Sequence, residues 1–342
     1  MKAMVLSRLC DVMKNPAPLS LEHPIVPEPG SNEVLLEVLA CGVCHTELDE
    51  IEGRTAPPHL PVIPGHEVVG RIVKIGDEVK NRRIGDRVGV GWFHSSCGSC
   101  RYCLEGNENL CSEFKATGRD ANGGYAEFIS VPEGSAFPIP DYLSDASAAP
   151  LLCAGAIGYR SLRLAGIKNG DSLGLTGFGA SAHLVLKMVK FRYPDTEIFV
   201  FARNPGEREF AMELGASWAG DTSEESPVRL RSIIDTTPAW KPVVEALPNL
   251  APEGRLVINA IRKEDNDREY LLQIDYPVHL WMEKEIKSVA NVSRGDIAGF
   301  LELAAQMRIQ PQIEEYPLED ANQALSELRM GNIRGAKVLR IK

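Results

Sequence analysis

Four cysteines stand close together in the segment CGSCRYCLEGNENLC: Cys97, Cys100, Cys103 and Cys111. Their C-x2-C-x2-C-x7-C spacing allows one folded loop to bring four thiolates to about 2.3 Å from a tetrahedral zinc ion, at a small cost in loop-closure entropy. A site filled by four sulfurs has no open position for a substrate, so its role would be to hold the loop together. The pattern favours structural zinc. An iron–sulfur cluster or four unrelated buried thiols are alternatives that the spacing leaves open.

A second cysteine pair, Cys41 and Cys44, stands in CGVCHTELDE. A C-x-x-C pair can be a redox dithiol or half of a zinc site, or one of its cysteines can simply fill the core. Other candidate ligands lie far away in sequence: His66 and Glu67 in PVIPGHEVVG, and Cys153 in LLCAGAIGY. Ligands this far apart form a site only if the fold assembles them.

A glycine-rich turn follows an apolar run in SLGLTGFGASAHLVLKM. Gly177, Gly179 and Ala182 match the G-x-G-x-x-[GA] pattern, in which the backbone approaches a pyrophosphate at a helix N-terminus. The next apolar run ends EIFVFARNP, with Ala202 and Arg203 where an acid would bind the adenosine ribose. A small residue and a cation favour a ribose phosphate, and therefore NADP(H) over NAD(H). The alternative is that Arg203 stacks on adenine in an NAD enzyme.

These residues need two kinds of scaffold. Up to about residue 150 the chain shows short strand-like runs separated by Gly and Pro, which indicates a β-rich module. Beyond residue 155, strand-like and helix-like runs alternate, which is typical of a parallel α/β sheet. We therefore expect two domains that meet near residue 155, with the glycine-rich turn in the second.

Composition narrows the possible partners. The 342 residues carry a formal net charge of -10 and lack a Lys/Arg-rich run, so nucleic acid is not an expected partner. Neither a secretory leader nor a membrane-spanning apolar run stands out, so we expect a cytoplasmic protein away from membranes, with thiols serving metal sites.

The ordered motifs CGVCHTE, GHE, the four-cysteine segment, GGYAEF, LLCAG and the glycine turn together resemble the zinc-dependent alcohol dehydrogenases of the medium-chain dehydrogenase/reductase family. The resemblance covers essentially the whole chain. It implies a Rossmann-type doubly wound parallel sheet domain over residues 155–288, which binds the dinucleotide, plus a GroES-like β-rich catalytic domain over residues 1–154 and 289–342. It also implies two zinc ions per chain, an alcohol or carbonyl substrate, and a homo-oligomer, dimer or tetramer.

Carried over by position, the resemblance makes Cys44, His66 and Cys153 the ligands of a catalytic zinc. Cys41 then becomes a small buried hydrophobe. It also implies that His45 and Arg334 contact the pyrophosphate.

The neighbouring residues also acquire roles by resemblance. Thr46 would pass on the proton of the alcohol, and Glu47, where the family usually has Asp, would fix the tautomer of His66. Glu67 would be a second carboxylate near the metal. Asp49 departs from the pattern, because many relatives have a histidine here at the exit of the proton relay.

Two rival functions remain. Polyol or sugar dehydrogenases of the same family often lack the structural cysteines or replace the third catalytic ligand, whereas this chain has all seven positions. A non-catalytic scaffold protein would typically lose the catalytic ligands.

Overall fold

The structure is a computed structural model that describes residues 1–331 and 335–342, with the side chain of residue 180 left out. It divides into two compact units: Met1–Cys153 with Val292–Lys342, and Ala154–Asn291. The boundaries expected from sequence, after residues 154 and 288, lie close to these.

The strands, in chain order, are β1 (Ala3–Leu6), β2 (Leu19–Glu22), β3 (Glu33–Val43), β4 (Val68–Ile75), β5 (Arg87–Val90), β6 (Phe93–Ser95), β7 (Lys115–Ala116), β8 (Phe128–Pro132), β9 (Phe137–Pro138), β10 (Ser172–Thr176), β11 (Glu197–Phe201), β12 (Trp218–Gly220), β13 (Leu230–Asp235), β14 (Leu250–Ile258), β15 (Glu285–Ser288), β16 (Ile313–Pro317) and β17 (Ala336–Arg340).

The α-helices are α1 (His45–Ile51), α2 (Arg101–Leu104), α3 (Asp145–Ala148), α4 (Ala154–Ala165), α5 (Ala180–Arg192), α6 (Pro205–Glu213), α7 (Lys241–Ala246), α8 (Tyr276–His279), α9 (Arg294–Met307) and α10 (Ala321–Arg329). Short 3-10 helices span Glu108–Leu110, Glu133–Ser135, Ala149–Leu152, Leu247–Asn249, Arg268–Gln273 and Leu318–Asp320.

The first unit is built on a sheet ordered β16-β17-β3-β4-β5-β9, with β8 also paired to β3. Its centre is β3, whose alternating residues Val34, Leu36 and Val38 are fully buried, as a half-buried strand requires. They pack in one apolar core with residues such as Ile72 and Ile129.

The second unit contains a six-stranded sheet in the order β12-β11-β10-β13-β14-β15, with every neighbouring pair parallel. Counted from β10, this is the order 3-2-1-4-5-6 of the doubly wound dinucleotide-binding fold. The central strands are continuous buried runs such as SLGLT and EIFVF, which suits a sheet covered on both faces. The predicted fold class is therefore confirmed.

Within the described residues, no helix combines the length and the apolarity needed to cross a bilayer.

Candidate functional site

The pairing of β3 with β4 brings two distant ligands together. The strands are antiparallel with Cys41 opposite Val68, so the residues that follow β3 lie beside those that precede β4. The amide of Gly42 donates to the carbonyl of Glu67 at 2.9 Å and extends this pairing. Cys44, which precedes α1, therefore lies next to His66.

A different set of contacts positions the third candidate ligand, the sulfur of Cys153. Cys153 follows the 3-10 helix Ala149–Leu152. Leu152 packs on β5, where a Cβ placed on Gly89 would lie only 2.7 Å from a Leu152 methyl group, so the close approach requires glycine. Since β5 pairs with β4, this contact positions Cys153 on the sheet that positions His66.

Cys44, His66, Glu67 and Cys153 each offer a ligand atom, and these atoms lie within 4.8 Å of one another. The sulfurs of Cys44 and Cys153 are 3.9 Å apart. Two thiolates bound tetrahedrally at about 2.3 Å would be about 3.8 Å apart, so this spacing fits zinc. Nε2 of His66 is buried and has no hydrogen-bond partner within the described parts of the chain. A buried polar atom without a partner is costly, and a metal ion would satisfy it.

Glu47 contacts the imidazole of His66, a candidate metal ligand. Its Oε1 is 2.5 Å from Nδ1 of His66, and its Oε2 accepts from the amide of Cys44 at 2.9 Å. Burial lowers the pKa of His66, but the charges and hydrogen bonds of Glu47 and Cys44 together outweigh burial and raise that pKa well above its usual range. The carboxylate therefore favours a proton on Nδ1, which leaves Nε2 as the ligand atom.

The rest of the cluster is acidic and tightly packed. A hydrogen bond from Cys153 lowers the pKa of the Cys44 thiol well below its usual range, against the effect of burial. Burial, and then the charge of Cys44, raise the pKa of Glu67. A Cβ on Gly42 would lie 1.8 Å from a carboxylate oxygen of Glu67, so glycine at this position makes room for the second carboxylate.

The hydroxyl of Thr46 lies 3.7 Å from the sulfur of Cys44. Asp49 forms an ion pair, in which Nε of Arg54 donates to its Oδ1 at 2.5 Å. His45 is the exposed first residue of α1. Thr46 thus lies beside the ligand cluster, whereas Asp49 is held by a cation.

Glu50 was not singled out from the sequence. It lies on α1, is 2% exposed, and accepts from Nε1 of Trp92 at 3.4 Å. Burial, followed by the charge of Glu47, raises the pKa of Glu50 to about 8, so this carboxyl carries a proton at neutral pH. The sequence feature that could have indicated Glu50 is the presence of three acids among the seven residues of α1. These are too many for all of them to lie on one solvent-exposed face.

The four cysteines of the second cluster also converge, with their sulfurs within 4.8 Å of one another. The sulfur of Cys103 is 3.9 Å from that of Cys97 and 3.5 Å from that of Cys100. Backbone amides donate to two of the sulfurs: Cys100 to Cys97 and Glu113 to Cys111, each at 3.3 Å. Hydrogen bonds from the amides of Ser99 and Cys100 lower the pKa of Cys97 to about 6. Four thiolates in this arrangement fit a zinc ion.

The glycine turn lies in the second unit, between β10 and α5. Gly177 has φ +75, a conformation that favours glycine. Gly179 precedes α5, and a Cβ placed there would meet nothing within 4 Å. Ala182 is fully buried. The turn follows β10, and the strand order of the sheet reverses at β10. Parallel α/β sheets bind their ligands at the point of this reversal.

At the end of β11, Ala202 is buried and Arg203 is exposed. Arg208 donates to the carbonyl of Ala202 at 2.8 Å and lies 3.4 Å from the carboxylate of Asp221, which follows β12. Asp221 is an acid near the strand ends that sequence reasoning missed, because it lies one strand beyond the expected position. Arg334 lies outside the described residues.

The second unit combines a parallel sheet of the order 3-2-1-4-5-6 with a glycine turn. The first unit is β-rich and contains a cluster of nitrogen and sulfur ligand atoms. Together these features define a class of metal-dependent dehydrogenase. Residues 30–141 match the alcohol dehydrogenase GroES-like domain. The chain is 42% identical to the probable alcohol dehydrogenase AdhA of Mycobacterium tuberculosis, over 92% of this chain and 91% of that protein. It is 32% identical to the mannitol dehydrogenase of Petroselinum crispum, over 89% and 92% of the two chains.

Among solved structures, a cinnamyl alcohol dehydrogenase of Sorghum bicolor superposes with a TM-score of 0.81 at 26% identity, over 99% of this chain and 97% of that one. The chain belongs to the zinc-dependent alcohol dehydrogenases of the medium-chain dehydrogenase/reductase family. The family predicted from the motifs is thus confirmed, and the chain is an oxidoreductase.

Proposed function

We propose that this protein reversibly oxidises an alcohol to an aldehyde or ketone by hydride transfer to a nicotinamide dinucleotide, with a catalytic zinc held by Cys44, His66 and Cys153. The observation that carries the proposal is the buried Nε2 of His66, which has no hydrogen-bond partner among the described residues and belongs to the same cluster as the two sulfurs. Three protein ligands leave a fourth position open for the substrate oxygen.

A zinc ion held there would act as a Lewis acid, lowering the pKa of the alcohol and polarising the carbonyl in the reverse direction. The surrounding residues then have separate tasks. Glu47 holds the imidazole of His66 in the ligating tautomer. The hydroxyl of Thr46 passes on the proton of the substrate hydroxyl, accepting it while releasing its own proton towards water. Glu67 places a second carboxyl group beside the ligands. A second zinc, on the four-cysteine cluster, would be structural.

We further propose that NADP(H) is preferred to NAD(H). Arg203 is an exposed cation at the end of β11, and Ala202 supplies no acid to repel a ribose phosphate. The carboxylate of Asp221 opposes this preference, but it accepts hydrogen bonds from the amide and hydroxyl of Ser223 and lies beside Arg208. Its charge is therefore partly neutralised.

A homo-oligomer is also proposed, formed by two copies meeting at β15. This strand ends the sheet of the second unit, and all four of its residues are exposed. Exposed apolar side chains lie close by in sequence, among them Trp281, Met282 and Ile286. Unpaired edge strands invite pairing with another chain, and a two-fold axis would pair this one with itself.

The main proposal is tested with Cys44→Ser and His66→Ala, using Cys41→Ala as the matched control. Cys41 is fully buried in β3 and outside the ligand cluster. We expect both ligand variants to lose turnover and about one zinc per chain while still binding dinucleotide, because the glycine turn belongs to the other unit. Cys41→Ala should keep its metal and its turnover.

Full activity of Cys44→Ser, or of wild-type enzyme stripped of metal, would contradict the proposal. Assays of primary, secondary, aromatic and polyhydroxy alcohols would define the substrate. A preference for polyhydroxy alcohols would favour the polyol dehydrogenase alternative.

A further inference from the structure

A buried ion pair lies at the carboxyl end of β13, in the second unit. Lys263 donates to a carboxylate oxygen of Asp235, and the two side chains are 7% and 0% exposed. Asp235 is the last residue of β13, which neighbours β10 in the sheet at the point where the strand order reverses. The pair therefore lies at the edge of the sheet where a dinucleotide is expected to bind.

Both Lys263 and Asp235 form further hydrogen bonds with protein groups. Lys263 also donates to the carbonyls of Thr237 at 2.7 Å and Ala239 at 3.0 Å, so all three ammonium hydrogens are used. The other oxygen of Asp235 accepts from the hydroxyls of Thr176 at 2.7 Å and Thr237 at 2.8 Å. Lys263 has no donor left for a ligand, so any role in binding must be indirect.

The contacts of the pair fix the loop of residues 236–239 against the glycine turn. The amide of Thr236 donates to the carbonyl of Thr176 at 3.0 Å. A Cβ placed on Gly177 would lie 2.9 Å from a methyl group of Thr237, so loop and turn are in direct contact. The segment that carries Lys263 closes over the same loop, since the amide of Glu264 donates to the carbonyl of Pro238 at 2.8 Å.

We propose that Asp235 and Lys263 are positioning residues for the dinucleotide: their ion pair holds the 236–239 loop on Gly177, so that the binding crevice is already formed before the dinucleotide arrives. A preformed site avoids the entropic cost of ordering a loop on binding. This inference rests on the proposed dinucleotide binding.

The test is the affinity for NADPH, measured by isothermal titration calorimetry on the zinc-loaded protein. In Lys263→Met the dissociation constant should rise roughly two- to thirtyfold, the range seen for residues that act through others. Zinc content and kcat at saturating dinucleotide should change little, and Lys263→Arg should restore part of the affinity. Lys284→Met is the matched control, because Lys284 also donates to two carbonyls of the same unit, those of Leu247 and Val278.

Lys263→Met leaves the carboxylate of Asp235 buried without its cation, which can prevent folding. The double variant Asp235→Asn with Lys263→Met removes that charge, and it should fold and still bind weakly. Wild-type affinity for NADPH in either folded variant overturns this inference but not the proposed function. An equal loss of NADPH affinity in Lys284→Met does the same. A wild-type protein that binds neither NADPH nor NADH overturns the proposed function together with it.

Discussion

Around the proposed catalytic zinc, adjacent residues on α1 face different partners. The hydroxyl of Thr46 contacts the sulfur of Cys44, Glu47 reaches His66, and Asp49 pairs with Arg54. The carboxylate of Asp49 stands where many relatives have a histidine, but a neighbouring cation holds it. Proton transfer from the substrate is therefore expected to depend on Thr46 more than on Asp49.

Thr46→Ala should lower kcat for alcohol oxidation by about 10²–10⁴, the usual contribution of a positioned proton-transfer group. Asp49→Asn should cost less than about tenfold, because water can replace a group at the end of a relay. Steady-state kinetics of the two variants, with Arg54→Ala as a control for the ion pair, check this expectation. A greater loss in Asp49→Asn than in Thr46→Ala would show that the carboxylate is an obligatory member of the relay.

Coenzyme choice is also decided at single residues. Arg203→Ala should raise KM for NADP by about ten- to hundredfold and change NAD kinetics little, since a charge-assisted hydrogen bond to phosphate contributes about 1.5 to 3 kcal/mol. Arg231→Ala is the control, because Arg231 is an exposed arginine near the amino end of β13. A variant that loses NAD instead would leave Arg203 as an adenine-stacking residue.

At the scale of elements, the four-cysteine segment is a loop with little regular structure of its own. It contains the four-residue helix α2 and a short 3-10 helix, and Cys103 and Cys111 are its buried cysteines. Glu108 ties it to α9 through a salt bridge to Arg294 at 2.8 Å. The apolar side chains of Tyr102, Leu104 and Leu110 in this segment are exposed, so a metal would supply much of its stability.

Cys103→Ala should therefore lower the melting temperature by several degrees and remove about one zinc per chain, with a smaller effect on kcat at low temperature. Cys10→Ala is the matched control: Cys10 is half-buried and lies outside both clusters. Metal analysis and thermal denaturation measure the two effects. An unchanged melting temperature together with full zinc content would mean that the cluster does not hold a structural metal.

At the scale of the whole molecule, the proposed metal ligands belong to the first unit, and the glycine turn belongs to the second. The exposed edge strand β15 also belongs to the second unit. Ile286→Glu should weaken the proposed association through β15, because it places a charge where two copies would pair. Sedimentation velocity should show a shift towards monomer in this variant only. The control is Ile84→Glu, at an isoleucine that is 65% exposed in the first unit. A monomeric wild type would contradict the proposal.

Short-range features of this protein could be predicted from the sequence. The cysteines at positions 97, 100, 103 and 111 fall within one short loop, and the glycine turn is fixed by a strand, a tight bend and a helix that follow one another directly. Apolar periodicity likewise indicated the two kinds of sheet. In these cases the interacting residues are close along the chain, so spacing and local backbone preference suffice.

The long-range contacts depend on the tertiary structure. Cys44 and Cys153 are 109 residues apart, and they meet because β3, β4 and β5 pair in one particular register. Motif resemblance predicted that both are zinc ligands, but no local pattern shows that they converge. The partners of Asp49 and Asp235 were not foreseen, because an ion pair between loops has no periodic signature in sequence. Strand register and loop packing place such side chains, and both are set only when the whole sheet has formed.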